Sequence, residues 1–137
     1  MGEVRVKVKL SNSMDQALAR RKKLSVHQVR TYEAEALVDT GAVAMVVPAH
    51  VQEKLGLLAT GRRVAEYADG RKEVVEVTEP FTVIISDRET IEEALVLGDE
   101  VLIGRTVLEK TDLLVDCVNH RVVPNPAHPD QPITKIK

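Results

Sequence analysis

The sequence predicts a mostly β fold with one or two short helices, and three observations carry that expectation. Twenty-two of the 137 residues are Val, whereas Tyr32, Tyr67 and Phe81 are the only aromatic residues. A core drawn from that pool is built of β-branched aliphatics, which suit pleated strands better than helices. Val4, Val6, Val8 and Leu10 alternate with Arg5, Lys7 and Lys9, the period of two that puts one strand face on a core and the other in water. Turn signals such as Asp69-Gly70 and Asn119-His120 then separate further apolar runs of strand length.

The elements follow in order. After the first strand, Ser13 and Gln16 form the pattern of a capping box ahead of good helix formers, so a short helix is expected over residues 14–23. It lies in a polar, basic insertion at about residues 11–28 and carries Arg20, Arg21, Lys22 and Lys23. Four adjacent cations in a net-acidic chain form a solvated face first and a surface for an acidic partner second. Residues 26–38 read as one long strand that enters Asp39-Thr40-Gly41-Ala42, and residues 43–47 resume the apolar pattern. Pro48 suits a first helical turn, residues 49–55 are helical in pattern, and Gly56 is placed as a left-handed cap.

Residues 63–67 and 72–77 flank Asp69-Gly70 as a hairpin with a polar, exposed tip. Two strands over 81–86 and 91–97 come next, then the short apolar run 101–103 stopped by Gly104, and one or two helical turns over 105–110. Residues 113–118 and 121–123 form a last hairpin, for about eight strands and two short helices in all. One domain over residues 1–123 is expected to precede a tail, 124–137, whose four prolines in nine residues keep it out of a sheet. Residues 133–136 are the candidate for a terminal strand at an edge or an interface.

Composition excludes several function classes. A net charge of −2 provides no basic field to gather nucleic acid or anionic lipid, and three aromatic residues make no stacking platform for single strands. Neither nucleic acid nor membrane is expected as a partner. The single cysteine, Cys117, allows no internal disulfide and fits a reducing compartment, and the first ten residues alternate instead of forming an apolar signal core. The expected location is the cytoplasm.

Asp39 needs a chemical explanation, because a carboxylate between Ala36-Leu37-Val38 and Gly41-Ala42-Val43 is expensive to bury unless paired or hydrogen-bonded. The triplet sits between apolar strands and is followed by a capped helix, a hairpin and, about sixty residues on, Leu102-Ile103-Gly104. In these features the chain resembles the retropepsin-like aspartic proteases. The resemblance rests on Ala36-Leu37-Val38-Asp39-Thr40-Gly41-Ala42, on the Asp69-Gly70 hairpin at the position of the family's flap, and on Val101-Leu102-Ile103-Gly104-Arg105, and covers roughly residues 29–123. It implies a small closed β-barrel, a homodimer, a polypeptide substrate and no cofactor or metal. It further implies Asp39, Thr40 and Gly41 as the catalytic triplet, and Ala42, Tyr67, Ala68, Asp69, Gly70 and Ile103 as substrate-contacting positions. Three features depart from the family: the basic insertion, Met45 and Val46 where many relatives have a small hydroxyl residue, and a hairpin tip without a glycine-rich run.

The chemistry follows independently. Hydrolysing an amide without metal or covalent nucleophile needs one carboxylate to deprotonate water and one carboxylic acid to protonate the carbonyl oxygen. Two such groups in contact cannot both ionise readily and titrate as a pair. The chain supplies one Asp-Thr-Gly and is too short for two lobes, so a two-fold axis must bring Asp39 against its copy.

Other candidates lack parts. Cys117-Val118-Asn119-His120 has the spacing of a metal half-site that His128 could extend, yet the hairpin explains these residues without metal. There is no Gly-x-Ser-x-Gly elbow and no glycine-rich phosphate loop before a helix. Asp112 and Asp116 fit turn and surface positions. A non-catalytic dimerisation or peptide-binding module of the same fold is the alternative to an aspartic endopeptidase.

Overall fold

A computed structural model describes residues 2–136. The described residues fold into eleven strands, three short helices and one 3-10 turn, more elements than the eight strands and two helices expected. The strand β1 (Arg5–Ser11) pairs antiparallel with β2 (Thr31–Val38), from Arg5 opposite Leu37 to Ser11 opposite Thr31. On its other side β1 pairs with β6 (Phe81–Ile85), which pairs with the edge strand β7 (Arg88–Glu92). Beyond β2 come β9 (Leu102–Ile103), β3 (Met45–Val47), β8 (Ala94–Val96), β5 (Lys72–Thr78) and the edge strand β4 (Ala59–Glu66). The nine-stranded order has two ends, β4 and β7, so the closed barrel expected from the resemblance is not formed by strand pairing among the described residues. A separate ladder pairs β10 (Leu113–Asp116) with β11 (Arg121–Pro124).

The core is aliphatic, as the Val-rich composition requires. Leu10, Met45, Val47, Leu55, Val83, Ile85, Ile103 and Val107 are fully buried around Phe81, the one aromatic residue among them. Helix α2 (Ala49–Leu55) covers this core with Val51 and Leu55, and Gly56 ends it at φ 66°, the left-handed conformation expected of it.

Three boundaries differ from expectation for identifiable reasons. Helix α1 (Ser13–Arg20) is capped by Asn12, not Ser13: the amide oxygen of Asn12 accepts from Asp15 N at 2.9 Å, and its nitrogen donates to Leu55 O at 2.7 Å. The Asn12 amide does both at once, while the Ser13 hydroxyl is paired with Thr82 Oγ1 at 2.9 Å. The expected long strand starts only at Thr31, because Ser25 and Gln28 close a capping box around a 3-10 turn over Val26–Gln28. The expected strand 91–97 is two strands. Its first part pairs with β6 at one sheet edge, and after Glu93 the chain crosses to pair with β3 and β5.

The basic insertion is tied down at its base. Buried Asp15 accepts from Arg30 Nε at 2.8 Å, Arg30 Nη2 at 3.0 Å and Arg30 N at 3.0 Å, and these bonds, the side-chain one foremost, hold its pKa below the usual carboxylate value. Arg20, Arg21, Lys22 and Lys23 lie at the far end, exposed to solvent.

In the single chain residues 133–136 pair with no sheet edge, which leaves an interface with a second copy as the place for the expected terminal strand. The tail's anchor is Asp112, a left-handed residue (φ 56°) that ends α3 (Arg105–Thr111). The Asp112 carboxylate accepts from Asn125 Nδ2 at 2.9 Å and Ile133 N at 3.2 Å and lies 2.6 Å from His128 Nδ1. Asn125 is the chief cause of its lowered pKa.

Asp116 organises the β10–β11 loop, accepting from Val118 N at 3.1 Å, Asn119 N at 3.2 Å, Asn119 Nδ2 at 2.8 Å and Arg121 Nε at 3.3 Å. Led by Asn119, these donors pull its pKa from 3.8 to about 2. A carboxyl group depressed in the folded state adds stability that is present above its unfolded pKa and is lost as pH falls through the folded value. Asp116→Asn is therefore expected to be less stable than wild type near neutral pH, with the gap closing between pH 3.8 and about 2. Denaturant midpoints for both proteins across that window check this, and a gap constant with pH contradicts it.

Candidate active site

Asp39 follows directly on β2, and the way β2 is held fixes where its carboxylate goes. Strand β2 runs parallel to β9, with Leu37 opposite Leu102 and Val38 opposite Ile103. The ladder continues one bond further, from Asp39 N to Ile103 O at 2.9 Å. The chain then reverses: Ala42 N donates to Asp39 O at 3.1 Å, and Gly41 N donates to the Asp39 carboxylate at 3.0 Å. It returns through β3, which pairs antiparallel with the other side of β9 at Val46 opposite Leu102. The two legs of the Asp39 turn thus straddle β9.

Gly41 does not have a left-handed φ; a Cβ there would sit 3.2 Å from Asp39 Oδ1 and press on the carboxylate. Gly104 is more tightly constrained. A Cβ at that position would meet the carbonyl oxygens of Ala44, Val43 and Ala42 at 2.5, 2.7 and 2.9 Å. The return leg therefore lies directly on the start of α3, where Arg105 N donates to Ala42 O at 2.8 Å and Thr106 N to Val43 O at 3.3 Å. Free amides at a helix start need acceptors, and the turn supplies two.

Asp39 itself is exposed, as are Thr40 and Gly41. The near-burial suggested by the apolar flanks does not hold for the single chain: Ala36, Leu37 and Val38 are strand positions, and the carboxylate projects past their end. Ala42 is half-buried. Ile103 is wholly buried, and its contribution to the turn is its backbone carbonyl.

Tyr67, Ala68, Asp69 and Gly70 form the tip of the β4–β5 hairpin. Gly70 has φ 88°, Gly70 N donates to Tyr67 O at 2.9 Å and Tyr67 N to Arg71 O at 2.8 Å. The Asp69 carboxylate accepts from Arg71 N at 3.0 Å and Arg71 Nε at 2.9 Å, and the Arg71 guanidinium sits 4.5 Å from the Tyr67 ring centre. These bonds, the backbone one first, lower the Asp69 pKa. The hairpin arms extend beyond the core: nearly all of β4 is exposed, and the facing pair Val64 and Val74 is 56% and 65% exposed.

The Cys117, His120 and His128 combination is not assembled. His128 is engaged with Asp112, and no group of three or more His, Cys, Asp or Glu placed to hold a metal exists among the described residues. Among those residues, no helix is long and apolar enough to cross a membrane.

No family model matches the sequence, and no curated protein matches it. Solved structures do. The foamy viral protease–reverse transcriptase in complex with an RNA/DNA hybrid aligns at TM-score 0.51 and 15% identity, over 77% of this chain and 11% of that one. The fold is retropepsin-like. The solution structure of simian foamy virus (mac) protease aligns at TM-score 0.48 and 15% identity, over 76% of this chain and 90% of that chain.

Within that fold, sequence reasoning identified the Asp39 turn, Gly104 and the start of α3. It missed Glu92, Thr106 and Arg88, three polar side chains that hold α3, because each acts on partners remote in the chain and no local pattern marks them.

Proposed function

We propose that the protein is an aspartic endopeptidase, hydrolysing peptide bonds with a water activated between two Asp39 carboxylates, one from each chain of a homodimer. The observation that carries this is an exposed carboxylate, oriented by Gly41 N–H, on a turn clamped between β9 and α3. One such group per chain makes half of an acid–base pair, and symmetry supplies the other half. Thr40 is exposed beside it, and its hydroxyl hydrogen-bonds across the axis in this arrangement.

Substrate is an extended polypeptide lying over the Asp39 turn, with Ala42 beneath it and the Tyr67–Gly70 tip above. The exposed Val64 and Val74 support this role for the hairpin, since apolar arms standing clear of a core invite cover by another chain. A reducing, cytoplasmic setting is the one that a single, exposed Cys117 suits.

Cleavage of a randomised peptide library between pH 4 and 7 tests the activity. Failure of both wild type and Asp39→Asn to cleave any peptide, with both dimeric, makes the non-catalytic binding module the better account. Sedimentation tests the symmetry: a dimer of the 15.1 kDa chain is expected at micromolar concentration. A cleaving protein that sediments only as monomer ends the two-fold mechanism.

A further inference from the structure

Burying a carboxylate is unfavourable unless its oxygens are paired, yet Glu92, at the end of β7, is only 7% exposed. Its oxygens serve different partners. Oε1 accepts from the Thr106 hydroxyl at 3.3 Å, and Oε2 lies 2.7 Å from the Lys110 ammonium. The Lys110 contact lacks hydrogen-bond alignment and so acts through charge, while the same ammonium donates to Ile91 O at 3.1 Å. Thr106 and Lys110 are four residues apart and share one face of α3. Glu92 thus grips two successive turns of the helix and sets its rotation against β7.

That rotation matters because of what Thr106 holds on its other side. The Thr106 hydroxyl is 3.1 Å from Val43 O, the carbonyl that its own backbone N–H also approaches at 3.3 Å. Val43 belongs to the return leg of the Asp39 turn, which reaches a strand partner only at Met45. Between Gly41 and Met45 the leg is held within the turn by Ala42 N on Asp39 O, and to α3 through Ala42 O and Val43 O.

We propose that Thr106, oriented by Glu92 and Lys110, is a positioning residue that locks the Val43 carbonyl and with it the placement of Asp39. Its consequence for turnover rests on the peptidase function proposed above; its consequence for the turn does not. One hydroxyl hydrogen serves two acceptors, Val43 O and Glu92 Oε1, and a carboxylate can only accept. A glutamine at position 92 could instead donate to Thr106 Oγ1 and leave the hydrogen wholly to Val43.

The test reads the carbon-13 resonance of the Val43 carbonyl, and kcat and KM on a cleaved peptide, in one series. Thr106→Val, of the same shape without the hydroxyl, is expected to shift the resonance upfield and lower kcat about tenfold while KM stays within about twofold. Thr106→Ser restores both. Glu92→Gln shifts the resonance the opposite way. Should the valine variant not fold, the glutamine variant decides alone through that downfield shift. An unmoved Val43 resonance, or a kcat loss that serine does not recover, overturns the proposal. If wild type cleaves nothing while the resonances move as stated, the clasp stands and the peptidase function falls.

Discussion

Asp39→Asn is expected to lower peptide cleavage by at least about 10³-fold, within the ~10²–10⁴-fold that positioned acid–base groups contribute. The amide has nearly the carboxylate's shape but can neither take the proton of an attacking water nor return one. The substitution is also quiet structurally. In the folded chain the carboxylate accepts from Gly41 N at 3.0 Å, a bond that an Asn oxygen makes equally well. The other bonds of the turn, Asp39 N to Ile103 O and Ala42 N to Asp39 O, use only backbone. Loss of activity should therefore come with an unchanged melting temperature and an unchanged dimer. A variant that cleaves at the wild-type rate assigns the activity to another group, and one that melts several degrees lower shows that Asp39 is structural.

What the sequence made legible were elements with two coincident local cues. Strand β1 alternates without interruption over Val4–Leu10, α2 has Pro48 before it and Gly56 after it, and the β4–β5 hairpin has Gly70 where a positive φ is needed. The strand expected from Val26 onward gave way to a capping box between Ser25 and Gln28, a cue that the strand reading passed over. Non-local choices left no local mark. Nothing near Glu93 records that the residues before it pair with β6 while those after it pair with β3. Exposure of Asp39 belongs to the same class, because hydropathy reports that the flanking backbone lies in a buried ladder but not which way the last side chain of that ladder points.

Arg88→Met is expected to destabilise the fold by about 3 kcal/mol, and the reason lies in bonds spanning up to 40 residues of sequence. Arg88 is 4% exposed. Its guanidinium donates to Thr111 O at 3.1 Å, Asp112 O at 2.8 Å and His128 O at 2.8 Å. It thereby closes the last carbonyls of α3 and straps the tail to them. A hydrogen bond to a charged group contributes about 1.5–3 kcal/mol, so three lost outright would exceed the expected figure. Two effects reduce it: methionine keeps the aliphatic stem in place, and removing a buried cation with no carboxylate partner among the described residues relieves its desolvation. For a chain of this size that figure corresponds to a melting point lower by roughly 10 °C. His128→Ala provides the contrast, because the acceptor at residue 128 is its backbone carbonyl and the imidazole pairs with Asp112, which retains Asn125 Nδ2 and Ile133 N. It should cost much less than Arg88→Met, since one bond to Asp112 is lost and two remain. Equal destabilisation by the two variants, or less than about 0.5 kcal/mol for Arg88→Met, would refute the strap. Arg88 begins β7 and Glu92 ends it, so this one edge strand holds α3 at its last carbonyls and along its length through Thr106 and Lys110. Amide exchange should accordingly quicken in Arg88→Met first at Ile133 and Asn125, and only later at the Asp39 turn, which is fastened to the opposite end of the helix.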